Sequence, residues 1–332
     1  MPPPSPLLDI ENLSTSFDTD EGTVLAVRGI DLQVARGETL ALVGESGCGK
    51  SVTALSTLRL LPMPPGRFDS GRIRFNSNDL MSLPEEAMES IRGNDISMIF
   101  QEPMTSLNPI FTVGDQIAEA IILHQDKTFE EARRVTLELL RKVAIPSPEQ
   151  RIDQYPHELS GGMKQRVMIA MAIACRPALL IADEPTTALD VTIEAQILEL
   201  LGSLRKEIGM AILLITHNLA IVAQFADRVS VMYSGKMVEE APVEILFDSP
   251  MHPYTRGLLN SLPSEDRERK LESIPGAVPH PAHLPRGCAF HPRCGDVMPC
   301  CREQDPPKFD ISGSARHRTA CWLYDNSAME NS

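Results

Sequence analysis

Apolar positions along the chain fall into two textures. Short, nearly unbroken aliphatic runs at Thr39 to Val43, Ile96 to Phe100, Leu179 to Ala182, Ala211 to Ile215 and Val229 to Met232 predict buried strands. Between them, Val113 to Leu123, Phe129 to Val143, Gly161 to Cys175 and Ile193 to Ile208 carry apolar residues at three- and four-residue spacing, which predicts helices. Strands alternating with helices imply a mostly parallel sheet covered by helices on its faces. The opening stretch, Leu7 to Val34, reads instead as a separate antiparallel β layer. Past about Pro250 the periodicity fades. From Pro263 to Trp322 the chain is rich in Pro, His, Arg and Cys, the pattern of an irregular appendage that needs a staple other than a core.

Composition narrows the function classes. A length of 332 residues fits one large α/β domain plus that appendage. Lys and Arg number 31 against 45 Asp and Glu, a formal charge of −14 with no basic block, which argues against duplex DNA as the main partner. The longest apolar stretches, Val167 to Cys175 and Met210 to Ile215, fall short of the roughly 18–20 residues a membrane-spanning helix needs. The N-terminal MPPPSPLLDIENL lacks the pattern of a secretory signal, so a cytosolic chain is expected. Of seven cysteines, Cys48 and Cys175 stand alone, while Cys288, Cys294, Cys300, Cys301 and Cys321 crowd together near the end. In a cytosolic chain such crowding favours metal or cluster ligation over disulfides.

The chemistry is concentrated in three places. Gly44-Glu-Ser-Gly-Cys-Gly-Lys-Ser51 follows a strand, precedes the helix-like Val52 to Leu61 and fits G-x-x-x-x-G-K-[ST]. Its glycines (Gly44, Gly47, Gly49) let backbone at Glu45, Ser46 and Cys48 wrap phosphate oxygens, and the helix start adds a positive field. Lys50 is placed to reach the β and γ phosphates, and Ser51 to ligate Mg2+. Leu179-Leu-Ile-Ala-Asp-Glu184 then delivers two carboxylates at a strand end, Asp183 for the metal and Glu184 to polarise water. Between them, Leu159-Ser-Gly-Gly-Met163 opens a helix with exposed N–H donors, a second anion site. One phosphate loop already holds one triphosphate, so Ser160, Gly161 and Gly162 are read as closing on ATP held by another subunit.

In this order the motifs resemble the ATP-binding subunits of ABC transporters, over about Leu7 to Pro250. The resemblance makes Gly44 to Ser51 the Walker A loop, Gln101 the Q-loop, Leu159 to Met163 the signature motif, and Asp183 and Glu184 the Walker B pair. It makes Ala188-Leu189-Asp190 the D-loop, His217 in Ile215-Thr-His the switch histidine and Phe17 the aromatic that stacks on adenine. It implies an α/β P-loop ABC ATPase domain over residues 1–250, with a RecA-like core, an antiparallel β layer and a helical subdomain at about 104–176. It also implies two such domains sandwiching two ATP molecules. Glu184 would serve as base, His217 would contact the γ-phosphate, Lys50 would offset developing charge, and Gln101 would sense Mg2+ and water. Phe100-Gln-Glu-Pro-Met-Thr-Ser-Leu-Asn-Pro109, Asp183-Glu-Pro-Thr-Thr-Ala-Leu-Asp-Val191 and His252-Pro-Tyr-Thr255 resemble the dipeptide, oligopeptide and nickel import branch. That branch implies a second ATPase subunit, a paralogue rather than a copy, two transmembrane permeases, an extracytoplasmic binding protein and a peripheral place on the cytoplasmic face of the inner membrane. Nickel uptake and a soluble ABC ATPase acting on nucleic acid or the ribosome are the competing functions; an uninterrupted single cassette argues against the latter.

The same resemblance extends over residues 251–332 and assigns Cys288, Cys294, Cys301 and Cys321 to a [4Fe-4S] cluster, with Cys300 a neighbour. Four thiolates can equally hold Zn2+, although the spacing is not the tight C-x-x-C of zinc modules. His291 and His317 read as solvated members of a basic patch with Arg286, Arg293, Arg302, Arg316 and Arg318.

Overall fold

A computed structural model describes residues 5–101, 106–187, 190–262, 273–311 and 316–325. In chain order its elements begin with strands β1 (Leu8–Thr19), β2 (Gly22–Val34) and β3 (Thr39–Val43), helix α1 (Lys50–Thr57), strands β4 (Gly66–Phe75) and β5 (Asn78–Asp79) and helix α2 (Glu85–Ile91). Strand β6 (Ile96–Ile99), helices α3 (Val113–Gln125), α4 (Phe129–Lys142) and α5 (Gly161–Ile173), strand β7 (Leu179–Asp183), helix α6 (Val191–Ile208) and strand β8 (Ala211–Thr216) follow. Helix α7 (Leu219–Phe225), strands β9 (Arg228–Tyr233) and β10 (Lys236–Pro242), helices α8 (Val243–Asp248) and α9 (Pro253–Asn260), and two short strands, β11 (Phe309–Asp310) and β12 (Arg318–Thr319), come last; a single helical turn at Pro148–Arg151 and several 3-10 turns are left unnumbered.

The chain divides into two compact, discontinuous units. The first comprises residues 1–7, 34–38 and 82–215. Here β6, β7 and β8 run parallel, with Leu179 opposite Ile96 on one side and Ala211 on the other. All five residues of β7 and all six of β8 are buried, which is why both read as continuous apolar runs rather than alternating ones. Helices α3, α4 and α5 start where side chains take up their free N–H groups. Thr112 and Ser160 accept from the third helical residue, and Thr128 with Glu131 forms a reciprocal capping box.

The second unit holds residues 8–33, 39–81 and 216–332, so residue 250 lies inside it. The expected β layer is present as an antiparallel sheet in the order β2-β1-β4-β5. β3 pairs in parallel with β9, and β10 and β12 continue from β9 in antiparallel fashion. The helix after the phosphate loop is shorter than Val52 to Leu61 suggested, running Lys50–Thr57.

The appendage departs from expectation, because it shares a core instead of lacking one. Phe290 is 3 % exposed and packs edge-on against Tyr233 of β9, ring centroids 5.3 Å apart, and against Tyr254 of α9 at 5.4 Å. These rings join Val43, Val231 and Leu246 in one buried cluster. Such aromatic contacts contribute about 0.5–1.5 kcal/mol each beyond area burial. The reading of His317 and Arg293 as solvated cations is likewise corrected. Both are buried, and each faces a carboxylate: Glu239 for His317 at 2.8 Å and Glu45 for Arg293 at 2.7 Å.

Candidate functional site

In the second unit the loop Gly44 to Ser51 leaves β3 and caps α1. Gly44, Gly47 and Gly49 all take positive φ, at 155°, 78° and 107°. At Gly49 a Cβ would lie 2.5 Å from the Ala26 carbonyl oxygen, so only glycine fits where the loop turns into the helix. Lys50 is 6 % exposed, and its ammonium donates to the carbonyls of Gly44 (2.8 Å) and Glu45 (3.1 Å), curling the loop around its own lysine. Cys48 is buried beside it, and burial pushes its thiol pKa up. Ser46 and Gly47 are exposed, and Ser51 is half-buried. Phe17 on β1 is half-buried, with its ring edge facing Gly66 of β4, where any side chain would crowd it. His217 is exposed just after β8, ahead of Asn218, whose side chain accepts from Ala220 N–H and caps α7.

In the first unit Asp183 ends β7, 3 % exposed, and Glu184 follows with a left-handed φ of 47°. That conformation costs a side-chain-bearing residue about 1–3 kcal/mol. Bonds that hold it include Glu184 N–H to the Ile215 carbonyl (2.8 Å), Thr187 N–H to the Glu184 carbonyl (3.1 Å), and the carboxylate accepting from Thr187 Oγ1 (2.9 Å) and Gln101 Nε2 (3.1 Å). The structure thus joins Gln101 directly to Glu184, 83 residues apart. Ser160, Gly161 and Gly162 open α5, and Gly162 approaches Ile193 of α6 closely enough that a Cβ would sit 3.1 Å from its Cγ2. Asp190 stands at the N-cap of α6. Ala188 and Leu189 of the expected D-loop lie outside the described residues.

The same unit carries an exposed apolar groove of about 390 Å3 between α3 and α4, lined by Phe111, Ile122, Leu123 and Phe129. Leu123 is 72 % exposed.

In the second unit Cys288, Cys294, Cys301 and Cys321 line one small pocket with His252, His291 and Pro306; Cys300 does not line it. Burial pushes the Cys288 thiol up to about 11 and the Cys321 thiol up to about 12, and the neighbouring cysteines add to both shifts. Among the described residues no group of three or more His, Cys, Asp or Glu side chains is arranged to hold a metal ion. The four thiols therefore share a pocket without forming the ready ligand set of a single ion.

Sequence reasoning missed three residues. Tyr254 accepts a hydrogen bond from Glu45 N–H at 2.9 Å, Arg293 pairs with the Glu45 carboxylate, and Glu239 accepts from the backbone of Met251 and His252 as well as from His317. Glu45 lies in the loop pattern and Arg293 in the basic stretch, but the two are 248 positions apart and no local pattern marks their pairing.

A glycine-bound loop at a strand end, entering a helix through Lys50, is the arrangement of a P-loop nucleotide-binding protein. Residues 27–187 match the family described as ABC transporter, and residues 238–301 match the oligopeptide/dipeptide transporter C-terminal region. A putative peptide import ATP-binding protein of Brucella ovis is 51 % identical over 96 % of this chain and 97 % of its own. The dipeptide transport ATP-binding protein DppD of Bacillus subtilis is 50 % identical over 97 % of this chain and 96 % of its own. The ATP-binding cassette MJ0796, solved as a dimer in a post-hydrolysis state with ADP and Pi, superposes with a TM-score of 0.64 at 26 % identity, covering 71 % of this chain and 98 % of its own. The chain belongs to the ATP-binding subunits of the ABC transporter family, in the branch that carries the oligopeptide/dipeptide C-terminal region, and it is an ATPase. Among the described residues no helix is long and apolar enough to cross a membrane.

Proposed function

We propose that this chain is the motor subunit of an importer of dipeptides or oligopeptides, peripheral on the cytoplasmic face of the membrane, with residues 1–250 as the motor and 251–332 as its extension. The observation that carries the reading is the Gln101–Glu184 hydrogen bond at a β-strand end in a chain of this family. Glu184 is the base for the attacking water, and Gln101 holds its carboxylate and reports on the site. Lys50 and the N–H groups of Gly44 to Ser51 hold the triphosphate, Phe17 stacks on adenine, and His217 contacts the γ-phosphate. Ser51, Asp183 and Gln101 would hold Mg2+, which supplies charge neutralisation at the phosphates. Ser160, Gly161, Gly162 and Asp190 face ATP bound by a second ATPase subunit, a paralogue in the peptide-import branch. The apolar groove between α3 and α4 receives a permease, of which there are two, fed by a binding protein outside. Peptide is favoured over nickel because the relatives are a peptide import protein and a dipeptide transport protein.

Cys288, Cys294, Cys301 and Cys321 would hold a [4Fe-4S] cluster. In its support, the four cysteines line one pocket while Cys300 does not; four thiolates are the ligand set of such a cluster and equally of Zn2+. The cluster supplies cross-links between segments of the extension.

The test is Glu184→Gln in the assembled importer. It is expected to keep ATP binding and dimer closure, lower phosphate release by on the order of 10²- to 10⁴-fold and abolish peptide uptake. Unchanged phosphate release would remove Glu184 from the role of base; normal peptide uptake with loss of nickel uptake in a strain lacking the chain would reassign the cargo.

A further inference from the structure

The extension reaches into the phosphate loop at one charged point. Glu45, the second residue of the loop, is held from both ends by residues far along the chain. Its backbone N–H donates to the Tyr254 hydroxyl at 2.9 Å. Its carboxylate receives both terminal nitrogens of Arg293, Nη1 at 2.7 Å and Nη2 at 3.1 Å. The Arg293 side chain is 4 % exposed and that of Glu45 28 %. The guanidinium is itself fixed: Nε donates to the Pro275 carbonyl at 3.0 Å, Nη1 lies 3.4 Å from the Tyr233 hydroxyl, and the cation sits 5.9 Å from the centroids of the Tyr233 and Phe290 rings. The stretch from Val278 to Leu284 walls a cleft of about 290 Å3 together with Val24, Ala26, Ser46 and Gly47. The extension therefore meets the loop at its charge and again at its exposed tip.

A carboxylate is a poor choice in a loop that binds a polyanion. Unneutralised, it repels triphosphate across a short, partly buried distance, where screening by water is weak. The two-pronged guanidinium removes that repulsion and fixes the side chain away from other orientations. A contact serving packing alone needs no charge, since buried ion pairs are commonly no more stabilising than apolar residues of similar volume.

Resting on the reading of Gly44 to Ser51 as the triphosphate seat, we propose that Arg293 is a positioning residue for ATP: by neutralising and clamping Glu45, the extension sets the loop's affinity for nucleotide. The KM for MgATP is then a property of the extension as well as of the loop.

The test is a double-substitution cycle on the full-length chain, read by trinitrophenyl-ATP binding and, in the assembled importer, by steady-state hydrolysis. Arg293→Met is expected to raise both Kd and KM by about tenfold or more, with the loss falling on KM rather than kcat. Adding Glu45→Gln to it removes the unpaired carboxylate and recovers most of the loss, and Arg293→Lys loses less than Arg293→Met. A change in melting temperature or kcat with KM unmoved, or a double variant no better than Arg293→Met, would overturn the proposal. Should Arg293→Met not fold, the sign decides: Arg293→Lys raises KM while Glu45→Gln, leaving an uncompensated cation beside the loop, lowers it; equal rises in both refute the clamp. Lys50→Ala separates the two readings. If it retains full nucleotide binding, the seat itself is misassigned; if it loses binding while the Arg293 variants do not, only the clamp fails.

Discussion

Glu239 shows how one side chain can tie distant segments together. It lies on β10 with its side chain fully buried, and it accepts from Met251 N–H at 2.7 Å, His252 N–H at 2.9 Å and His317 Nε2 at 2.8 Å. The backbone donors open α9, and the histidine immediately precedes β12, so one carboxylate joins three stretches of the second unit. Removing it strands two buried donors and one part-buried donor, which is costlier than losing a surface pair. Glu239→Ala is expected to lower unfolding stability by about 3–5 kcal/mol, measured by urea titration. A loss below about 1 kcal/mol would mean water replaces the carboxylate. Nothing in the sequence around Glu239 announces this role, because its partners are set by strand pairing and not by spacing. The loop glycines were legible for the opposite reason: their constraint is local backbone geometry, and the spacing itself encodes it.

At the scale of elements, the buried strands were legible almost residue by residue, since five or six consecutive apolar side chains have few other uses in a protein of this size. Helix starts were equally legible. Val113, Phe129 and Gly161 each follow a Thr or Ser whose side chain accepts from the new helix. The ends of these three helices differ from expectation by one or two residues and that of α1 by four, where no comparable signal exists. The three- and four-residue spacing on α3 did not reveal that part of its apolar face stays uncovered. Ile122 and Leu123 are exposed at 39 % and 72 %, beside Phe129 of α4 at 55 %. An exposed apolar face of that kind is a candidate docking surface, and the proposed function seats a permease on it. Leu123→Glu is expected to leave ATP binding by the purified chain intact. It should cut co-purification with the permeases and peptide uptake by about tenfold or more, the effect of losing an apolar anchor. Uptake at the original level would place the permease contact elsewhere.

At the scale of the whole chain, aromatic packing and hydrogen bonds hold the extension, and the proposed cluster would add cross-links to them. The aromatic core at Phe290 and the Glu239 knot are ordinary packing and hydrogen bonding. Around Cys321 the holding contacts are the two-residue β12, hydrogen bonds from Ala320 N–H to the Val238 carbonyl (2.8 Å), Trp322 Nε1 to the Gln304 carbonyl (3.0 Å), Tyr324 Oη to the Met251 carbonyl (2.9 Å) and Arg256 to Tyr324 (2.7 Å), and the Trp322 ring against Phe309. Thiols pushed up to about 11 at Cys288 and about 12 at Cys321 would stay protonated and contribute no cross-link at neutral pH; a bound metal reverses that preference by favouring thiolate. Loss of the proposed cluster should leave the Phe290 core in place, since that core is held by packing. Protein purified without oxygen is expected to contain iron and acid-labile sulfide with visible absorption. Cys288→Ser should lose these and melt about 3–4 °C lower, the shift given by about 2–3 kcal/mol in a chain of this size. Cys300→Ser, altering a residue outside the pocket, should keep its iron. Stoichiometric zinc without sulfide would replace the cluster by a single ion, and equal iron loss in Cys300→Ser would exchange Cys301 for its neighbour in the ligand set.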